Sequence, residues 1–393
     1  MFIPIVTLGI IFLLIAIRQI GTKRLQIWQI MLGGAFVLLA LQQISLQEAF
    51  LAIDFDVILF LFGMFVVGEA LERSGYLAHI SYHAFKRATC TDHLLLLILF
   101  SAGIASAVLM NDTLAIIGTP VVLLLAKKHQ LPPHMLLLTL AFAITIGSVF
   151  SPIGNPQNLL IALQVQQPFT TFLVNLFVPT ILNLFIAYVL LKIFYRIHLH
   201  HHILDHSQEP IKDHTLAQLC KISLLMIFFL IIARIGITDF RLTYIALLSA
   251  LPILFHSERL SIIKRIDWET LVFFAAMFVV MKSVWSTGFF QLFIHDFSLP
   301  SIITGSIIIS QFLSNVPLVA LFLPLMQGET ALIALAAGST IAGNLSLLGA
   351  ASNIIIVQNA EKKAGETITF WEFARIGVPL TIGNALVYYV FLM

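Results

Sequence analysis

The sequence predicts an all-α polytopic membrane protein, an inverted-topology repeat of about ten transmembrane helices plus two re-entrant hairpins, divided into a scaffold and a hairpin-bearing subdomain. Composition gives the class, because 60% of the 393 residues are hydrophobic, 10% are charged, and the mean hydropathy is +1.02. A soluble domain has about 25% charged residues. The distribution of basic residues and a duplicated set of polar motifs give the topology.

Twelve apolar segments cover most of the chain, and spans near 20 residues fit single membrane crossings. In the first half they lie at 2–17, 27–45, 55–71, 94–126, 135–163 and 171–195. In the second half they lie at 220–236, 240–256, 269–285, 299–327, 330–358 and 372–392. The segments 94–126 and 299–327 are too long for one comfortable crossing, and each holds an Asn near its middle. They fit tilted helices, pairs of short crossings, or hairpins that return to their starting side.

Basic residues decide between these readings. If both long segments return, 18 of the 21 Lys and Arg residues lie on the side of the 18–26 loop. If each crosses once, the division is 12 to 9. Only the first division is a strong positive-inside pattern. Two full crossings would give the same division, but 29 to 33 residues are short for two spans of about 20 residues. We therefore expect two re-entrant hairpins and a multi-pass protein of the cytoplasmic (inner) membrane with both termini outside.

The two halves of the chain are related in sequence. Residues 53–76 align without gaps on 266–289 at a shift of 213, and the identical pairs include Asp54 and Asp267. We expect repeat 1 over 1–196, a cytoplasmic His-rich linker over 197–217, and repeat 2 over 218–393. Each repeat has five crossings and a hairpin. Since five is odd, the second repeat is inverted relative to the first.

Polar motifs recur in both repeats, inside apolar segments. The first copy is Asn111-Asp112-Thr113, nine residues before Pro120, followed by an S-x-x-G-x-x-x-N frame at 151–158. The second is Ser314-Asn315, nine residues before Pro324, followed by the same frame at 346–353. Irregular backbone at membrane depth is tolerated only where it lines a cavity or is buried in protein. Paired interruptions in two halves are typical of the binding site of a secondary transporter.

The chemistry of these motifs suits ions. Freed carbonyls, Asn amides and hydroxyls are hard oxygen ligands for a small cation. The N-termini of half-helices present N–H donors to an anion. Pro152, Gly154 and Pro156 prevent a continuous helix through the first frame, and Gly349 allows close backbone approach in the second.

The motifs resemble those of a known superfamily. Ser-Pro-Ile-Gly-Asn-Pro-Gln-Asn at 151–158 resembles the T-P-I-G-T-P-P-N break of the divalent-anion/sodium symporters. Asn111-Asp112 resembles the N-D of arsenite permeases, and Ser314-Asn315-Val316-Pro317 the S-N-V-P of related permeases. The whole chain resembles a short member of the ion-transporter superfamily of citrate permeases, arsenite permeases and NhaD-type sodium/proton antiporters. It is most similar to uncharacterised bacterial and archaeal anion permeases.

This resemblance implies two sodium sites with the substrate between the tips. The first would use Asn111 and the backbone around Gly154, and the second Asn315 and the backbone around Gly349 and Ala350. Two departures stand out, because Asp112 and Val316 replace the family's Thr residues. A gained carboxylate and a lost hydroxyl favour a protonatable site or another substrate. Asp112 could equally cap the returning half-helix.

From the motifs and the resemblance we predict two sets of site residues. The substrate-binding candidates are Asn111, Asp112, Thr113, Asn155, Asn158, Ser314, Asn315 and Asn353. The ion-coupling candidates are Asn111, Asp112, Ser151, Gly154, Asn315, Ser346, Gly349 and Ala350. We expect no catalytic residue and no cofactor, only coupling to sodium or protons.

The predicted function is secondary transport of a small anion or oxyacid by alternating access, with helices one to three of each repeat as scaffold. Arsenite/antimonite extrusion and sodium/proton exchange are alternatives within this architecture. An intramembrane enzyme is disfavoured because no catalytic constellation is visible, and two closed hairpins disfavour a channel. We expect contact with lipid and none with nucleic acid, and the sequence leaves a homodimer open.

Two further features have ordinary explanations. Glu69 and Lys282 occupy equivalent repeat positions and form either a coupling pair or, as we favour, two snorkelling side chains. The His-rich cluster at 198–206 has the composition of a metal site, but its spacing is irregular and its loop is solvated.

Overall fold

The computed structural model describes residues 2–17, 19–20, 23–24, 26–86, 88–196, 210–236, 240–289, 298–313 and 315–393. These residues form nineteen α-helices and a single ribbon of two strands of two residues each, so the predicted all-α class is confirmed. The His-rich linker cluster and Ser314 lie outside the described residues.

The first repeat contains ten of the helices. They are α1 (Ile3–Ile17), α2 (Ile27–Ala40), α3 (Leu46–Ala52), α4 (Phe55–Ser74), α5 (Tyr76–Phe85), α6 (Thr91–Leu109), α7 (Asn111–Lys128), α8 (Pro133–Gly147), α9 (Pro156–Ala162) and α10 (Pro168–Phe194). The strands β1 (Gln19–Ile20) and β2 (Lys23–Arg24) pair antiparallel between α1 and α2.

The second repeat contains the other nine helices. They are α11 (His214–Gly236), α12 (Leu242–Leu254), α13 (Arg259–Arg265), α14 (Trp268–Trp285), α15 (Leu299–Leu313), α16 (Asn315–Phe322), α17 (Glu329–Ile341), α18 (Ala351–Ala364) and α19 (Phe370–Leu392). Three 3-10 turns interrupt this half, at Leu323–Leu325, Ala342–Asn344 and Leu347–Gly349.

Five helices of the described part are long and apolar enough to span a membrane singly: α6, α10, α11, α14 and α19. The pair α3–α4, bent by 53°, is a sixth candidate, and other expected spans are shorter apolar helices. Large apolar side chains point outward from these helices, as with Val174 at 72%, Phe229 at 63% and Val390 at 66% exposed. Lipid rather than water satisfies such surfaces.

Equivalent residues of the two repeats adopt the same local conformation. Asp54 caps the N-terminus of α4 by accepting from Val57 N at 3.2 Å, and Asp267 caps α14 by accepting from Thr270 N at 2.9 Å. After these helices, Gly75 has φ +73° and Gly288 has φ +72°. The 213-residue shift found in the sequence therefore relates matching caps and turns.

The helices pack in two groups, each drawn from both repeats. In what we call the scaffold subdomain, α2 packs on α14 and α4 on α12. In the hairpin subdomain, α7 packs on α18, α10 on α19, and α9 on α16 and α17. At its centre lie α8, buried from Met135 to Gly147, and α17, buried from Ile333 to Ile341. Both of these helices end at the predicted breaks.

Glycine brings two helices of the hairpin subdomain into direct backbone contact. A Cβ added to Gly147, the last residue of α8, would overlap the backbone of Gly103 in α6. Only a residue without a side chain allows this approach. The first arm of the hairpin is thereby held against the helix that leads into the break.

Candidate functional site

The first hairpin turns at a single residue and is fixed to the break of its own repeat. α6 ends at Leu109, α7 begins at Asn111, and Met110 between them has φ +67° and ψ 145°. Positive φ is uncommon for a residue with a side chain. Asn111 N donates to the carbonyl oxygen of Gly154 at 2.8 Å. The predicted pairing of tip and break is therefore a direct hydrogen bond.

Polar side chains organise the first break, between Gly147 and Pro156. The Asn158 amide nitrogen donates to three carbonyl oxygens, of Ser148 at 3.1 Å, Val149 at 3.1 Å and Ser151 at 3.0 Å. Asn155 caps α9, its Oδ1 accepting from Asn158 N at 2.8 Å. These bonds satisfy carbonyls freed where α8 stops, which would otherwise be costly to bury.

Two smaller residues complete the first break. The Ser151 hydroxyl donates to the carbonyl oxygen of Ala107 in α6, a second link between hairpin and break. A Cβ on Gly154 would overlap the carbonyl of Ser148. The two ion-coupling candidates Ser151 and Gly154 thus lie where the hairpin meets the carbonyls freed at the break.

A residue of the second repeat closes the first break. Thr340, on α17, donates through Oγ1 to Asn158 Oδ1 at 3.2 Å. The same hydroxyl accepts from the amides of Asn155 and Gln157, each at 3.3 Å. Neither Thr340 nor Gln157 was among the predicted site residues. A signal existed for Thr340, because the 195-residue shift of the breaks pairs it with Thr145.

The second break is held by a different set of bonds. The Asn353 amide donates to the carbonyl of Gly343 at 2.7 Å and to that of Ser346 at 3.4 Å. Gln311, in α15, donates to the Ala342 carbonyl at 2.9 Å and accepts from the Ser346 hydroxyl at 2.7 Å. The sequence prediction missed Gln311, whose equivalent in repeat 1 is Ala107.

The ion-coupling candidates Gly349 and Ala350 lie at the end of the second break, where Gly349 packs closely against Ala342 and Gln311. A Cβ on Gly349 would lie 2.5 Å from the Ala342 carbonyl oxygen and 3.1 Å from Gln311 Oε1. Ala350 is 2% exposed and stands where repeat 1 has Asn155. Ser352 likewise stands where repeat 1 has Gln157, so the second frame has two side-chain amides fewer than the first.

Three residues whose buried oxygens lack hydrogen-bond partners in the described part of the chain border Gly343, in the second break. Among the described residues, Asn315 Oδ1, Asn353 Oδ1 and Thr145 Oγ1 are buried and have none. All three residues border Gly343: a Cβ there would lie 3.2 Å from Thr145 Cγ2 and 3.7 Å from Asn315 Nδ2, and Asn353 donates to its carbonyl. A buried unpaired oxygen costs about 1–3 kcal/mol. Oxygen donors of this kind fit a small hard cation such as sodium.

Asp112 is buried at the first tip. It is 5% exposed, lies in the first turn of α7, and donates its backbone N–H to Asn111 Oδ1 at 2.8 Å. Among buried side chains of the described ranges it is the single carboxylate, and no Lys or Arg is buried there. The helix N-terminus favours a negative charge at this position, whereas burial opposes it.

Glu69 and Lys282, which occupy equivalent repeat positions, lie in different environments. Glu69 lies in a cavity beside Glu72 and Thr113, whereas Lys282 is exposed on α14. The exposed position of Lys282 agrees with a snorkelling side chain.

Comparisons with known proteins match this architecture. The model of the family described as "Citrate transporter" matches residues 11–331. The chain is 27% identical to a "46 kDa membrane protein" of Mycobacterium leprae, with 89% of this chain and 90% of that protein covered. It is 26% identical to the "Silicon efflux transporter LSI3" of Oryza sativa subsp. japonica, with 89% and 88% covered.

A solved structure shows a similar fold. The YdaH transporter of Alcanivorax borkumensis, described as having an unusual topology, superposes with a TM-score of 0.54 at 14% identity. The match covers 100% of this chain and 96% of that one.

Fold and site together define a polytopic membrane transporter. The chain belongs to the citrate transporter family, whose model matches more than half of its length. The predicted membership of the ion-transporter superfamily is therefore confirmed.

Proposed function

We propose that this protein is a secondary active transporter of a small oxyacid or its anion, working by alternating access and coupled to protons or sodium. One observation supports the proposal: the first break bonds to Thr340 of the second repeat, and the second tip and second break meet at Gly343, beside Thr145 of the first repeat. Tips and breaks supply unpaired oxygens and helix N-termini in one buried region. Such a region is a binding site shared by two inverted halves.

The charge of this region narrows the substrate class. Among the described residues, no Lys or Arg is buried, so a multiply charged anion would meet only helix N-termini and bound cations. Burying unbalanced charge is costly. A weakly acidic oxyacid that enters neutral or singly charged avoids this cost. The name of the Oryza sativa relative, a silicon efflux transporter, supports the same class of substrate, since silicon dissolves in water as silicic acid, a weak oxyacid.

Arsenite or antimonite extrusion is a second candidate within that class. Asn111 followed by Asp112 at the first tip is the observation that favours it. Arsenite is also neutral and hydroxylated near pH 7, so it suits the same uncharged site. Citrate, after which the family is named, would need more positive charge than the described site supplies.

The coupling ions follow from the two tips. Asp112 provides a carboxylate that can exchange a proton, and the unpaired oxygens of Asn315, Asn353 and Thr145 provide sodium ligands. We propose proton coupling at the first tip with sodium binding at the second. Alternation would move the hairpin subdomain against the scaffold subdomain.

A reconstitution experiment tests the proposal. Purified protein in liposomes is assayed for arsenite, silicic acid, sulfate, dicarboxylates and citrate under separate sodium and proton gradients. We expect gradient-driven movement of at least one weak oxyacid, abolished in Asn315→Ala. Transport of citrate or sulfate without transport of arsenite or silicic acid would overturn the proposed class of weakly acidic oxyacids. Asn175→Ala is the control, because Asn175 lies on α10 and its amide donates to the Thr171 carbonyl of the same helix.

A further inference from the structure

The second break is anchored to the last helix of the chain by two buried asparagines. Asn344 donates through Nδ2 to Asn384 Oδ1 of α19 at 3.0 Å, and both side chains are fully buried. Two turns earlier on the same face of α19, Gly377 packs against the break, since a Cβ there would overlap the Asn344 carbonyl oxygen. The break therefore touches α19 through both the side chain and the backbone of Asn344.

The anchored residue is the last of the 3-10 turn Ala342–Asn344, and amide side chains from three helices hold this turn. Gln311 of α15 donates to the carbonyl of the first residue of the turn at 2.9 Å. Asn353 of α18 donates to the carbonyl of the second residue, Gly343, at 2.7 Å. Asn384 of α19 accepts from the side chain of the third. Each residue of the turn is thus fixed by a different helix.

This turn borders the oxygens that we propose as cation ligands. Gly343 lies beside Thr145 and Asn315, and its carbonyl accepts from Asn353. Each of these three neighbours has a buried oxygen without a hydrogen-bond partner in the described part of the chain. A small hard cation binds tightly only when several oxygens lie at a similar short distance from it. A shift of the turn would change the spacing of these oxygens, because the residues that carry them pack against Gly343 or bond to it.

The first break has no equivalent of this anchor. At the 195-residue shift, Asn344 corresponds to Val149, whose side chain cannot donate a hydrogen bond. The Val149 carbonyl instead accepts from Asn158, within the break. A bond needed only to hold the duplicated fold together would be expected in both copies. Its presence in one copy points to a task of the second break.

We propose that Asn384 is a positioning residue for a sodium ion bound at the second hairpin tip. It acts through Asn344, by fixing the 3-10 turn and with it the spacing of the three oxygens around Gly343. Residues that hold metal ligands in place typically change metal affinity about 10- to 100-fold when they are mutated. The proposal deepens the proposed function, on which it rests for the presence of the cation.

Sodium-dependent unfolding measures this effect without a known substrate. Purified protein in detergent is heated at a series of sodium chloride concentrations, with choline chloride keeping the ionic strength constant. The rise of the unfolding temperature gives an apparent sodium dissociation constant, since an ion that binds only the folded state stabilises it by mass action. Asn384→Leu removes the accepting oxygen, and we expect this constant to increase about tenfold or more. A purely structural role would instead lower the unfolding temperature equally at every sodium concentration.

Two further variants of α19 serve as controls. Tyr388→Phe, one turn further along the helix, removes a buried hydroxyl that bonds to Thr180 of α10 at 2.7 Å. It should lower the stability of the protein and leave the sodium constant unchanged. Asn384→Asp keeps an oxygen that can accept from Asn344, and it should retain most of the sodium affinity. If Asn384→Leu does not fold, Asn384→Ala takes its place.

The outcomes separate this proposal from the proposed function. An unchanged sodium constant in Asn384→Leu, an equal increase in Tyr388→Phe, or an Asn384→Asp variant as weak as Asn384→Leu would each overturn the positioning role. If the unmodified protein shows no stabilisation by sodium, the cation site at the second tip is absent and the positioning role fails with it. Failure of oxyacid transport in a protein whose sodium constants behave as expected would contradict the proposed function alone.

Discussion

Thr340 Oγ1 and Asn158 Oδ1, which belong to different repeats, form a hydrogen bond of 3.2 Å within the hairpin subdomain. The amide nitrogen of Asn158 donates to carbonyl oxygens of the first break. The amide oxygen of Asn158 accepts from Thr340. The equivalent atoms of the inverted arrangement, Thr145 Oγ1 and Asn353 Oδ1, both lack partners among the described residues. Within the described part of the chain, the Asn158 oxygen of the first break thus has a donor, whereas the Asn353 oxygen of the second break has none.

Thr340→Val should destabilise the protein by about 1–3 kcal/mol, because it leaves Asn158 Oδ1 buried without a donor. The measurement is thermal unfolding of the purified protein in detergent. Thr145→Val is the matched control, since the Thr145 hydroxyl has no partner to lose in the described structure. Equal destabilisation by both substitutions would contradict the assigned role of Thr340.

Asn111→Ala and Asn315→Ala should each abolish transport while leaving expression and folding intact. Both remove an amide from a hairpin tip, and the Asn315 oxygen has no partner within the described ranges. Gradient-driven uptake in liposomes is the readout, with Asn175→Ala as control. Normal transport by both variants would show that the tip amides only cap helices.

Asp112→Asn should flatten the pH dependence of transport at fixed sodium. Asp112 is the single buried carboxylate of the described residues, and an amide of the same shape cannot exchange a proton. We expect steep pH dependence in the unmodified protein and a nearly level profile in the variant. Identical profiles, with strict dependence on more than one sodium ion, would exclude Asp112 as the proton site.

Gly154→Ala should reduce both stability and transport, because its Cβ would overlap the Ser148 carbonyl inside the first break. Gly305→Ala serves as control, since nothing lies within 4 Å of a Cβ there and Ala favours a helix by up to about 1 kcal/mol. Unfolding temperature and uptake rate are measured for both. Retained transport in Gly154→Ala would show that the break accommodates a side chain.

Single-cysteine labelling tests the membrane topology. Ala88, a natural choice in the loop after α5, is only 2% exposed, so the exposed Lys86 is the better reporter. Lys86→Cys and Glu361→Cys should resist reagents applied from outside, whereas Leu46→Cys, 78% exposed, should react. Efficient external labelling at Lys86 or Glu361 would overturn the predicted membrane orientation of the chain and both re-entrant hairpins.

Much of the architecture was readable in the sequence because proline, glycine and asparagine act locally. Pro152 and Pro156 end the helix that begins at Pro133, and α8 indeed stops at Gly147. The matched prolines behave differently, however. α7 continues through Pro120 to Lys128, whereas α16 stops at Phe322 and Pro324 lies in a 3-10 turn. Neighbouring packing, which sequence spacing does not contain, decides between these outcomes.

Other differences arise from long-range contacts. The helix in the expected span 27–45 is shorter than predicted, since α2 ends at Ala40. The next helix, α3, is separate and meets α4 at an angle of 53°. Thr340 and Gln311 escaped prediction because a lone Thr or Gln in an apolar helix has no local signature. Their partners lie 182 and 35 residues away in the chain. Only the alignment of the breaks, which pairs Thr340 with Thr145, carried a hint.

The contact between Gly103 and Gly147 limits which surfaces can slide. Because α6 and α8 touch through their backbones, a small relative shift would drive carbonyls into neighbouring atoms, and no flexible side chain is present to yield. In the proposed alternating-access cycle, the hairpin arm and the broken helix would therefore move together as one rigid unit. Under that proposal, sliding would occur at the boundary where α4 contacts α7 and α14 contacts α16. A cross-link across that boundary should thus stall turnover.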